Sequence, residues 1–73
     1  MTINREYFIN RNAQSTGEHE IHVKGCSYFP QPGNAISLGV HNSCTAAKQA
    51  AKRAHPDWKV DGCAYCLSEC HTG

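Results

Sequence analysis

Residues 61–71 read Asp61-Gly62-Cys63-Ala64-Tyr65-Cys66-Leu67-Ser68-Glu69-Cys70-His71, so three thiols and an imidazole fall in one short run. Two residues between Cys63 and Cys66 let a single tight turn aim both sulfurs at one ion, and Asp61-Gly62 supplies the bend. Upstream, His22-Val23-Lys24-Gly25-Cys26 holds a second pair of donors. With His22 on a strand and Cys26 just past Gly25, both reach one end of a sheet. The two pairs together make the donor set of a tetrahedral zinc site, with His22, Cys26, Cys63 and Cys66 as the expected ligands. A redox dithiol needs its Cys-x2-Cys at the start of a helix in a βαβ setting, which this sequence lacks. Cys70 and His71 are surplus to a four-ligand site. Either can replace His22 as fourth ligand, or the two belong to a loose tail.

Size makes such a staple necessary. The chain has 73 residues and a formal net charge of +1. A single domain of this length buries a small core and is marginal without a metal, disulfides or a partner. Its large apolar residues are Ile3, Tyr7, Phe8, Ile9, Ile21, Val23, Tyr28, Phe29, Ile36, Leu38, Val40, Trp58, Val60 and Tyr65; alanine and cysteine make up much of the rest. The five cysteines leave one unpaired in any scheme of disulfides. Met1-Thr2-Ile3-Asn4-Arg5-Glu6-Tyr7 has no apolar core region and no small-residue cleavage site, so no secretory leader is expected. Cytoplasmic location and a metal staple follow as expectations. Near-neutral charge requires neither a nucleic-acid nor a membrane partner.

Working back along the chain, Glu6-Tyr7-Phe8-Ile9-Asn10-Arg11 is aromatic and β-branched and reads as a strand. Ser15-Thr16-Gly17 is a turn. His19-Glu20-Ile21-His22-Val23-Lys24 alternates, placing Ile21 and Val23 on one face and forming a hairpin with the first run. After the loop Pro30-Gln31-Pro32-Gly33-Asn34, the stretch Ala35-Ile36-Ser37-Leu38-Gly39-Val40 alternates again, with Ile36, Leu38 and Val40 on a common face. Asn42 or Ser43 caps a helix over about residues 43–55. Cys44, Ala47, Ala51 and Ala54 form its small-residue stripe, and Cys44 is expected as a buried thiol. Lys48, Lys52 and Arg53 take the opposite face, and His55-Pro56 ends the helix. His19, His41 and His55 read as surface or cap residues. Trp58 and Val60 return to the core, and the cysteine-rich segment 61–73 follows. The expected fold is a single α+β domain, residues 1–73: a three-stranded antiparallel sheet, one helix and a C-terminal zinc knuckle.

The His22-x3-Cys26 pair, the strand around Ile36-Ser37-Leu38-Gly39, the alanine-rich helix and Cys63-x2-Cys66 together resemble the Ada-type metal-binding fold. That fold occurs in bacterial alkylation-response proteins and in small modules attached to nucleases and DNA-uptake proteins. The chain is also similar to short bacterial proteins that end in Asp-Gly-Cys-x2-Cys-x3-Cys-His. The likeness spans residues 20–71 and implies a shared scaffold and metal. In the alkylation-response domain the first ligand is a cysteine that accepts a methyl group. Here that position is His22, and a neutral imidazole lacks the activated thiolate that such transfer needs.

No Ser/His/Asp order, paired carboxylates or phosphate-binding glycine loop marks an enzyme. The expected protein is a monomeric binding module for nucleic acid or protein, built on a structural Zn2+ site and having no membrane partner. The alternative is a thiol redox or metal-handling protein that uses the surplus cysteines.

Overall fold

The computed structural model describes residues 4–71. Strand β1 (Arg5–Asn10) and strand β2 (Glu18–Val23) form the expected hairpin, with Tyr7, Phe8 and Ile9 opposite Val23, His22 and Ile21. Strand β3 (Ala35–His41) lies antiparallel on the other side of β1. A fourth strand, β4 (Lys59–Gly62), pairs in parallel with β2, giving the order β3-β1-β2-β4. The expected three-stranded antiparallel sheet is therefore corrected to a four-stranded mixed one. Asp61-Gly62, read above as a turn, belongs to β4. With Val60 as its one large apolar residue, this segment shows too little alternation to read as a strand.

Helix α1 (Cys44–Ala54) matches its expected position. Ser43 caps it, its hydroxyl accepting from the Ala46 N–H at 3.2 Å. His55 closes it, its N–H donating to the Ala51 carbonyl at 2.8 Å. Cys44, Ala47 and Ala51 are buried, so small side chains let the helix sit close on the sheet, whereas Ala54 at the helix end is exposed. Beneath lie Tyr7, Ile9, Ile21, Val23 and Val60, joined by Leu67, which the sequence reading omitted. Trp58 is clasped between two imidazoles, stacked on His19 at 3.7 Å and on His55 at 3.9 Å. Ile3 lies outside the described residues.

The common face expected for β3 breaks at a bulge. Phe8 pairs with Ser37 but Tyr7 pairs with Gly39, which leaves Leu38 as the extra residue. A bulge shifts the two-residue alternation by one position. Ile36 and Leu38 accordingly pack on the core, while Val40 is 63% exposed. Gly39 has φ +86°, a backbone conformation that side-chain-bearing residues rarely adopt.

The segment after β4 is not a loose tail. Cys70 is buried in a short 3-10 helix (Ser68–Cys70) and forms a disulfide with Cys44. Cys44 is thus a bonded cysteine and not the free buried thiol expected above, and two of the five cysteines are stapled to each other. His71 Nδ1 lies 3.0 Å from the Gly62 carbonyl and 3.3 Å from a carboxylate oxygen of buried Asp61. A side chain on Gly62 has no room: its Cβ would come within 2.9 Å of Cys70 Cβ and 3.0 Å of the Leu67 carbonyl oxygen. That close approach lets the 3-10 helix rest directly on β4.

Candidate metal centre

Parallel pairing of β2 with β4 creates the site. Its last registered pair is Ile21 with Gly62, and one residue further on lie His22 and Cys63. The Cys63 N–H continues the ladder, donating to the Ile21 carbonyl at 2.9 Å. Strand alternation sends His22 to the face opposite Ile21 and Val23, next to Phe29. A turn closed by the Cys26 N–H on the Val23 carbonyl, at 3.1 Å, brings Cys26 back over the end of β2. A second turn, closed by the Leu67 N–H on the Cys63 carbonyl at 2.8 Å, does the same for Cys66.

One donor atom from each of His22, Cys26, Cys63 and Cys66 lies within 4.8 Å of the others, a group able to hold a metal ion. Cys26 Sγ is 3.8 Å from His22 Nδ1 and 4.0 Å from Cys63 Sγ. A four-coordinate ion with bonds of about 2.0–2.3 Å spaces its donors about 3.5–3.8 Å apart, so these separations need only a small contraction. The three thiols are free, and 4.0 Å is far beyond the roughly 2.05 Å of a disulfide. All four residues named from the sequence therefore meet, whereas Cys70 and His71, the considered substitutes for His22, are engaged elsewhere.

Glu20 is the neighbour that sequence reading missed. Its carboxylate lies 3.6 Å from His22 Nε2, long for a hydrogen bond but on the side of the ring away from the sulfurs. A proton held on Nε2 leaves the Nδ1 lone pair facing the cluster, the usual second-sphere arrangement for a metal-bound imidazole. The clue was available: Glu20 precedes His22 by two residues and so shares its strand face.

Two ionisations are displaced. Burial lowers the His22 pKa below the ordinary 6.5, and the Glu20 charge only partly opposes this. Burial also pushes the Cys66 thiol up to about 12, helped by the neighbouring Cys26 and Cys63 thiols, while the Val23 backbone pulls the other way. In the folded, metal-free state at neutral pH, His22 is a neutral donor and Cys66 keeps its proton. The His22 contribution to metal-free stability is present above the ordinary imidazole range and lost as pH falls through the lowered value. The Cys66 contribution is present below pH 9.0 and lost as pH rises towards about 12. Metal loading at neutral pH should thus expel the Cys66 proton, and apparent affinity should rise with pH. Titration calorimetry in two buffers of different ionisation enthalpy checks this. Heats that do not depend on the buffer would contradict it.

No family model matches the chain, and neither does any curated protein or solved structure. These comparisons give no direct support to the Ada-type likeness. None of the described helices is long and apolar enough to cross a membrane.

Proposed function

We propose that this protein is a small zinc-stabilised binding module, with Zn2+ held by His22, Cys26, Cys63 and Cys66 as a structural ion. The supporting observation is the convergence of those four donors from two distant segments. Three thiolates and an imidazole gathered within 4.8 Å of one another suit zinc better than hard cations, which favour oxygen ligands. Four protein ligands close the coordination shell, as in structural rather than catalytic zinc sites, so the role proposed is recognition and not catalysis. The Ada-type likeness belongs to the same proposal, as does action as a monomer.

Cytoplasmic placement also belongs to it. Free thiols suited to zinc persist in a reducing compartment, whereas the Cys44–Cys70 bond is of the kind that persists in an oxidising one. That bond is the one observation favouring the second reading, a thiol redox protein. It uses the two cysteines outside the cluster, so a redox role would run alongside the metal and not through it.

Native mass spectrometry of protein made under reducing, zinc-replete conditions, with and without a chelator, tests the proposal. The expected result is a zinc adduct at one ion per four-donor cluster, removed by the chelator. Folded, reduced protein without zinc would refute it.

A further inference from the structure

An exposed tyrosine stands beside each of the outer cysteines: Tyr28 in the turn that follows Cys26, closed by the Phe29 N–H on the Cys26 carbonyl at 3.1 Å, and Tyr65 in the turn that carries Cys66. Tyr28 follows Cys26 and is 56% exposed; Tyr65 precedes Cys66 and is 71% exposed. Their rings stack with centroids 4.0 Å apart and planes within 22°. Since each ring covers one face of the other, exposure this large leaves the outer faces open. Buried aromatic pairs are ordinary core, but a stacked pair standing in solvent leaves apolar ring surface uncovered by the protein.

Beside the pair is a hollow of about 280 Å³, and Arg5 and Lys24 line it together with both tyrosines, Cys26 and Cys66. None of the described lining residues is acidic. Three thiolates and a neutral imidazole around a divalent ion leave one negative charge, and the Glu20 carboxylate beside His22 adds a second. Arg5 and Lys24, which line the hollow, balance those two charges. Its volume sits just under the range of about 300–1,000 Å³ usual for small-molecule pockets, enough for one planar group with its anion and too little for a large cofactor.

We infer that this surface binds single-stranded nucleic acid, a base extending the Tyr28–Tyr65 stack and the adjoining phosphates meeting Arg5 and Lys24. Stacking on an aromatic platform with cations tracking the backbone is the general physics of strand binding without sequence choice. It requires an open base face, which a duplex hides within its own stack. The inference deepens the proposed function and rests on it, because the metal would fix the two turns that bring the tyrosines together.

Fluorescence anisotropy with a labelled single-stranded oligothymidylate of about ten nucleotides tests it, using the full zinc-loaded chain whose metal content is measured in the same sample. Binding at low salt that weakens as salt rises is expected. Tyr65→Ala should reduce affinity roughly tenfold or more, with zinc content and amide spectrum unchanged, and Tyr65→Phe should restore most of it. Lys24→Ala should weaken binding and flatten its salt dependence. Zinc-loaded protein that fails to bind, binds a duplex equally well, or is unaffected by both Tyr65→Ala and Tyr28→Ala would overturn the inference and leave the metal site standing. A folded chain lacking zinc would instead refute the metal site, and the platform with it.

Discussion

Stripping the metal should leave most of this chain unfolded, and Cys63→Ser should do the same. The apolar core cannot compensate. Its fully buried members include Ile9 and Ile21, but also Ala47 and Ala51, which bury little area. A domain of this kind has a net stability of about 5–15 kcal/mol at best. Structural zinc contributes an apparent 10–16 kcal/mol or so in small metal-organised peptides, as much as the whole margin. The cluster also spans a long stretch of sequence, since Cys26 and Cys63 are 37 residues apart. Without the ion, the sulfurs and imidazole no longer hold β4 beside β2 at this end of the sheet. Cys63 is 1% exposed, so serine there both weakens the donor and buries a hydroxyl. Collapse of amide dispersion in the NMR spectrum after chelation, and loss of a cooperative melt, is the expected observation. A native-like spectrum and normal melting for metal-free or Cys63→Ser protein would show that the site is not structural.

The four donors were legible because spacing carries them. His22-x3-Cys26 and Cys63-x2-Cys66 each fit one turn, and a turn is a local object. The helix was legible for the same reason, with Ser43 at its start and His55-Pro56 at its end. What escaped was non-local. Pairing of β4 with β2 depends on a crossover through β3 and α1, and no residue within Lys59–Gly62 announces it. The β3 bulge turns on one glycine, which from sequence reads equally as a weak point in an alternating strand. The Cys44–Cys70 bond links a helix start to a 3-10 turn across 26 residues, and cysteine spacing alone does not encode connectivity. Yet the missed strand explains why the predicted donors meet, because parallel register is what sets His22 beside Cys63.

Breaking the Cys44–Cys70 bond should lower stability sharply without releasing the metal. A crosslink closing a loop of this length, 26 residues, restricts the unfolded chain by about 3.5 kcal/mol in the loop-entropy view. For a domain of this size that corresponds to a fall in Tm on the order of 15–30 °C. Cys44→Ala is therefore expected to cost more than an ordinary core truncation at an alanine-lined helix face. The donors lie elsewhere: His22 and Cys26 belong to β2 and its turn, and Cys63 and Cys66 precede the 3-10 helix. Other contacts also hold that helix, including Lys48 Nζ donating to the Cys70 carbonyl at 3.4 Å and His71 against Asp61 and Gly62. Metal stoichiometry should stay unchanged while the melt shifts. Non-additivity identifies the bond itself: Cys44→Ala, Cys70→Ala and the double variant should fall to nearly the same Tm, and added reductant should bring the unmodified protein close to it. Additive single variants, or a melt insensitive to reductant, would mean that the two sulfurs are not bonded in solution.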